Sequence, residues 1–228
     1  ICKMEFPEAI LFDLDGVLLD SEPFLANAWR ETAKEYDHYL SNDELQELKG
    51  RRRIDCAEKV LKWIKKEKSI EELLFVQKIK LNTQITKAKP FKGAIDLIKF
   101  CINTKLPIAL VTSSSSESFK IKSSVNPWLN LFTTKILGDD KYISAGKPSP
   151  DPYLRALKIL NLDPNKTWVI EDSYAGSVAG LKAQCNLWFF SKDINILNKL
   201  INEFNQNKIQ QINELSEIIY YLKLFKGF

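Results

Sequence analysis

The chain is poor in the residues that build zinc and disulfide chemistry. It has one histidine, His38, and four cysteines, Cys2, Cys56, Cys101 and Cys185, with no CxxC pair and no cysteine set beside a histidine as a zinc site requires. A zinc site is therefore not expected, and the cysteine usage points to a reducing, cytoplasmic location. No apolar run approaches the roughly 18 residues that cross a bilayer, and the first residues carry no signal-like apolar core, so no membrane partner is expected. A dominant charge is missing too. The 33 basic and 29 acidic residues give +4 with both signs interspersed, compatible with a small anionic substrate but not with nucleic acid, which wants a clustered basic stripe. There is no internal repeat.

What is present sits at the ends of short apolar runs. Ala9 to Phe12 is apolar and stops at a turn signal, Gly16, as a strand buried on both faces of a parallel sheet does. It delivers Asp13 and Asp15, and residues two apart on a strand point the same way, roughly 6 to 7 Å apart, so both can address one ligand. Open parallel sheets bind ligands beyond the carboxyl ends of their strands. Pro107 to Val111 is a second such run; it leads into Thr112, Ser113, Ser114, Ser115 and Ser116 before a helix-like stretch, where hydroxyls and amides can cradle a phosphate oxygen. Lys147 follows a third run, Thr134 to Leu137, with Asp151 and Pro152 expected to cap and open a helix over 153–160. Thr167 to Ile170 leads to Glu171, Asp172 and Ser173. Taken singly, each reads equally well as turn chemistry, a serine loop, a solvated lysine or a helix cap.

In order, DLDGV (Asp13 to Val17), VTSS (Val111 to Ser114), GKP (Gly146 to Pro148) and IEDS (Ile170 to Ser173) resemble the four motifs of the haloacid dehalogenase-like hydrolase superfamily. Asp20, Ser21, Glu22, Lys49 and Gly50 are similar to its phosphatase and beta-phosphoglucomutase-like subgroup. The resemblance implies an α/β fold: a three-layer, Rossmann-like core with a mainly parallel central sheet, residues 1–18 and 90–228, interrupted by an all-helical cap over residues 19–89. The insertion has the matching texture, with apolar positions such as Leu45, Leu48, Val60, Leu61, Ile64, Leu73, Leu74, Val76 and Ile79 at helical spacing among Lys and Glu. Its hinges are expected at 17–20 and 88–93.

The implied activity is a Mg2+-dependent phosphomonoester hydrolase acting on a small phosphorylated metabolite, a sugar phosphate or a similar polar ester, through a phospho-aspartate. A carboxylate with a reference pKa of about 3.9 is ionised at neutral pH, so Asp13 can attack phosphorus without a base. Like charges at about 4 Å cost on the order of 4 kcal/mol at an effective dielectric of 20, so cations are required. The resemblance implies Mg2+ ligands from the Asp13 carboxylate, the Asp15 carbonyl and the Asp172 carboxylate, with Glu171 in outer-shell support. It gives Lys147 the second positive charge, Thr112 and the Ser113 amide the phosphoryl oxygens, and Glu22 and Arg53 the substrate side. Asp15 would serve as general acid and then base, a role that wants a raised pKa; proximity to Asp13 and partial burial would raise it and the metal's own charge would lower it, so the sequence leaves the value open.

Arg53 stands three residues after Gly50, where the resembled mutases bind a distal phosphate; Arg51, Arg52 and the cluster Lys62, Lys65, Lys66, Lys68 read as solvated charge. Those mutases carry a histidine near the start of the cap, and the corresponding position here is Leu25, which favours hydrolysis over mutase turnover. A hexose phosphate mutase is thus the nearer alternative, and a receiver-like phospho-Asp signalling module the remoter one. The segment Gln206 to Gln211 reads as a connector between C-terminal helices, and Trp188 to Phe190 as the last strand. The aromatic tail, Tyr220, Tyr221, Phe225 and Phe228, can pack on the core or on another subunit, so the chain is expected as monomer or homodimer.

Overall fold

Residues 5–64 and 67–226 are described by the structure, a computed structural model; Cys2, Lys65, Lys66 and Phe228 lie outside them. The apolar runs form the strands β1 (Ala9–Phe12), β2 (Ile108–Val111), β3 (Thr134–Ile136), β4 (Thr167–Glu171) and β5 (Asn186–Phe190), and a further strand, β6, spans Ile209–Ile212. All pairings are parallel, in the order β3-β2-β1-β4-β5-β6. β1 is central, with Ile10 opposite Ile108 on one side and Trp168 on the other.

Strand side chains alternate between two cores, as the period of two demands. Ile10, Phe12, Ile108, Leu110, Trp168, Ile170 and Trp188 face a layer built with α5 (Ala94–Asn103), α6 (Ser116–Val125) and α10 (Ser216–Lys226). Leu11, Ala109, Val111, Val169, Leu187 and Phe189 face α7 (Asp151–Leu160), α8 (Tyr174–Lys182) and α9 (Ile194–Glu203). The three-layer α/β reading holds. Tyr221 and Phe225 pack on the core, with ring centroids 4.8 Å from Trp188 and 6.0 Å from Trp168 respectively.

Two local readings need correction. β5 is not the last strand: overlapping the expected connector, Ile209 to Ile212 pairs with β5 at the sheet edge, where one neighbour and mostly half-buried side chains let two glutamines occupy a strand. The helix expected over 153–160 begins at Asp151, with Pro150 in the capping position and Pro152 in its first turn.

Between β1 and α5 the chain forms helices α1 (Glu22–Lys34), α2 (Asn42–Leu48), α3 (Arg53–Ile64) and α4 (Ile70–Asn82). Ser41 and Ser69 close capping boxes with Glu44 and Glu72. These helices bury a cluster of their own, including Trp29, Leu48, Val60, Ile64 and Leu73. The two crossings to this cap run side by side: the Asp20 N–H donates to Lys89 O (2.8 Å), the Phe91 N–H to Leu18 O (3.0 Å), and Leu19 bridges Pro90.

Candidate active site

The carboxyl ends of β1, β2 and β4 converge under the cap. Asp13 follows β1 directly, its N–H still in the ladder to Ile170 O at 3.1 Å. Lys147 reaches in from the loop before α7 and is 1% exposed. Its Nζ donates to Asp13 Oδ1 (2.7 Å), Glu171 Oε1 (2.6 Å) and Val111 O (2.9 Å), using all three ammonium protons. Glu171 Oε1 also accepts from Tyr153 Oη at 2.7 Å, so the lysine is held from behind. Burial works against the Lys147 charge, but Asp13 and Glu171 outweigh it and raise its pKa. Burial pushes the Asp13 carboxyl well up, Lys147 pulls it down, and Glu171 and Asp172 add to the rise.

Asp15 lies in a different setting from the one expected. Its Oδ1 accepts from Ser21 Oγ (2.5 Å) and Lys122 Nζ (2.5 Å), and its Oδ2 from Ser114 Oγ (2.7 Å). Burial raises its pKa, yet the Lys122 charge and these hydrogen bonds prevail and lower it. The value that the sequence left open is thus set on the low side, and the reason is Lys122. Sequence reasoning passed over this residue because ESFKIKSSV looks like a solvated helix. The available signal was helical phase: Lys122 falls three residues after Phe119, on the buried face of α6.

Asp13, Glu171 and Asp172 offer carboxylate oxygens within 4.8 Å of one another, all buried. Glu171, expected in an outer shell, thus stands among the possible direct ligands. Asp172 is pushed up to about 6, chiefly by burial, with Lys49 working against the rise. Lys49 Nζ lies 2.6 Å from Asp172 Oδ2, an ion pair that ties cap to core. Burial raises the Glu22 carboxyl strongly, with Asp172 adding and Lys49 opposing. Counting Asp13, Asp15, Glu22, Glu171 and Asp172 against Lys49, Lys122 and Lys147 leaves two uncompensated negative charges when all are ionised. A hard divalent cation with oxygen ligands, Mg2+ above all, fits both the donor set and that deficit. Space is tight around it: a Cβ on Gly16, whose φ is +87°, would stand 1.9 Å from Asp172 Oδ2.

A pocket that opens to solvent is lined on the core side by Asp13, Asp15, Thr112, Ser113 and Ser114. Thr112 is buried and its hydroxyl accepts from the Ser114 N–H (3.1 Å), while Ser113 Oγ donates to Gly50 O across the cleft (2.8 Å). From the cap come Glu22, Lys49 and Arg53 with an apolar wall that includes Leu25, Trp29 and Leu81. Arg53 is partly committed elsewhere: its Nε and Nη2 donate to Gln77 Oε1 and Leu74 O on α4, each at 2.6 Å. The structure thus brings Asp13, Asp15, Lys147, Glu171 and Asp172 together, sets Thr112, Ser113 and Glu22 on the same pocket, and turns part of the Arg53 guanidinium toward the cap's own helices.

Comparison with known proteins gives the chain's family. The family of haloacid dehalogenase-like hydrolases matches over residues 10–190, from β1 to the end of β5. The chain belongs to that family. The chain is 30% identical over 175 residues to a bifunctional riboflavin kinase/FMN phosphatase of Arabidopsis thaliana, a match covering 76% of the chain and 46% of that protein, so the chain spans about half of this relative. It is 27% identical over 179 residues to a phosphorylated carbohydrates phosphatase of Thermotoga maritima, covering 77% of the chain and 81% of the relative. Its fold matches that of a beta-phosphoglucomutase of Clostridium difficile with a TM-score of 0.80, at 19% identity, over 97% of this chain and 98% of the other. No described helix of the chain is long and apolar enough to cross a membrane.

Proposed function

We propose that this chain is a Mg2+-dependent phosphatase of small phosphorylated metabolites, with sugar phosphates or similar polar esters as substrates and Asp13 as the nucleophile. The carrying observation is the lysine-clamped Asp13 opening on a pocket that Asp15, Thr112 and Ser113 also line. The kinship to a phosphorylated carbohydrates phosphatase supports the substrate class. The reading takes residues 19–89 as the cap that closes over the pocket and excludes water from the acyl phosphate.

An Asp13 carboxylate oxygen bonds to phosphorus as the bond to the ester oxygen breaks. Lys147 lies on Asp13 Oδ1 and carries positive charge to the place where negative charge accumulates. Thr112 and the Ser113 amide hold phosphoryl oxygens. Asp13, Glu171 and Asp172 would hold Mg2+, with the Asp15 carbonyl completing the protein ligands, and the ion would offset the charge of nucleophile and phosphate. Asp15 gives a proton to the departing oxygen and then takes one from the water that hydrolyses the phospho-aspartate. The carboxylate form in which Lys122 holds it suits the second step; an incoming phosphate dianion favours its protonation for the first.

A panel of sugar phosphates, phosphoglycolate and nucleotides, assayed with and without Mg2+, tests the reading. Turnover is expected only with the metal, and Asp13→Asn is expected to fold and to lose it. Activity retained in Asp13→Asn removes Asp13 as nucleophile. A mutase would show isomerisation that depends on a bisphosphate primer; Leu25 on the pocket wall supplies no group to activate a sugar hydroxyl for it.

A further inference from the structure

Among the described residues, only Lys122 and Lys147 are buried lysines, at 0% and 1% exposure. An ammonium group withdrawn from water costs several kcal/mol unless it is paired and hydrogen-bonded. Lys147 has its partners in the chemistry above; Lys122 enters it only through Asp15. Its Nζ donates to Asp15 Oδ1 (2.5 Å) and to Ser114 Oγ (2.7 Å), and Ser114 Oγ in turn donates to Asp15 Oδ2 (2.7 Å). These contacts close a ring through both oxygens of one carboxyl group. A carboxyl gripped at a single oxygen can still turn about its Cβ–Cγ bond; gripped at both, it is fixed in plane.

The lysine is itself anchored. Its carbonyl accepts from the Asn126 N–H (3.1 Å) and Nδ2 (3.2 Å), and the same Nδ2 donates to Ala88 O beside the second crossing (3.4 Å). On the other side, Ser21 Oγ reaches Asp15 Oδ1 from the start of α1. Asp15 is therefore held between a rigid core helix and the first residues of the cap.

We propose that Lys122 is a positioning residue, fixing the plane of the Asp15 carboxyl group for its proton transfers through Oδ1 directly and through Oδ2 by way of Ser114. The proposal rests on the phosphatase reading. In the first step the bond from phosphorus to the ester oxygen breaks, its electron pair stays on that oxygen, and the Asp15 proton follows it. In the second a water oxygen bonds to phosphorus, its proton passes to Asp15, and the Asp13 carboxylate is released. Geometry matters in both, because proton transfer needs the acid or base within hydrogen-bond reach and aimed.

The test is Lys122→Met, assayed in Mg2+ with an alkyl phosphate and with p-nitrophenyl phosphate. A nitrophenolate leaves without an acid, an alkoxide does not. The expected result is a fall of about 10²-fold in kcat/KM for the alkyl ester, in the range of a general acid's contribution. For the nitrophenyl ester kcat/KM should stay within about threefold while kcat falls and a nitrophenolate burst appears, since only hydrolysis of the phospho-aspartate then needs Asp15. Equal losses in kcat/KM for the two esters would mark a merely structural role and overturn the proposal, as would unchanged kinetics. If Lys122→Met does not fold, Ser114→Ala, which breaks the ring at Oδ2, must show the same split with smaller amplitude. A wild type that turns over neither ester nor any member of the panel removes the phosphatase reading and this inference with it; a wild type that does, beside a variant without the split, removes the inference alone.

Discussion

On the proposed reading, Lys49 and a divalent cation would make opposing claims on Asp172. The lysine comes from the cap, its side chain 22% exposed, and meets a carboxylate 5% exposed at 2.6 Å. Unit charges about 4 Å apart attract by about 4 kcal/mol at an effective dielectric of 20. Desolvation offsets part of that and leaves about 2 kcal/mol, within the span measured for close charge pairs. Lys49→Met should thus release Asp172 to the metal and tighten Mg2+ binding about 30-fold, at 1.4 kcal/mol per decade. Isothermal titration at pH 8, where protons compete little for a carboxyl of pKa about 6, measures it directly. The metal-free variant should unfold more easily than the wild type, because a buried carboxylate has lost its partner, and saturating Mg2+ should close the gap. Equal or weaker Mg2+ affinity in a folded variant would refute the idea that lysine and ion compete.

Asp172 also sets a pH dependence. Its pKa, raised above the ordinary 3.8 to about 6, means that the folded protein holds a proton that must leave when metal binds, so Mg2+ affinity should fall about tenfold between pH 7.5 and 5. The same shift stabilises the metal-free fold below pH 4 and loses that contribution as pH rises through 6, so for this group Tm without metal declines over that interval. A pH-independent Kd over 5 to 7.5 would contradict both. Gly50→Ala puts a Cβ 2.1 Å from Ser173 Oγ at a residue with φ +77°. A loss of about 1–3 kcal/mol in urea unfolding and a raised KM are expected, and a neutral substitution would show that the cap does not close on Ser173.

Most of the sheet was legible because buried parallel strands are short apolar runs that halt at chemistry-bearing residues; Ala9 to Phe12 and Thr167 to Ile170 show no other pattern. β6 was not, since an edge strand with one partner need not be apolar, and Ile209 to Ile212 carries two glutamines. At the site, Asp13, Lys147 and Asp172 announce themselves by motif, whereas Lys122 and Tyr153 do their work through contacts between distant segments that no local spacing encodes. Arg53 illustrates the reverse: its position matches a substrate-binding arginine, but the hydrogen bonds to Gln77 and Leu74 depend on how α3 meets α4.

The paired crossings at Leu18 to Asp20 and Lys89 to Phe91 have a bearing on how such a molecule can change. An excursion that leaves and rejoins its parent at adjacent points behaves as a graft on a single stem. The four helices could be swapped for a brief turn or a bulkier unit without rearranging a single strand partner, because closing a longer loop adds only a slowly growing entropy penalty. Ligand recognition can then drift by splicing at that stem, while the strand ends beneath stay put.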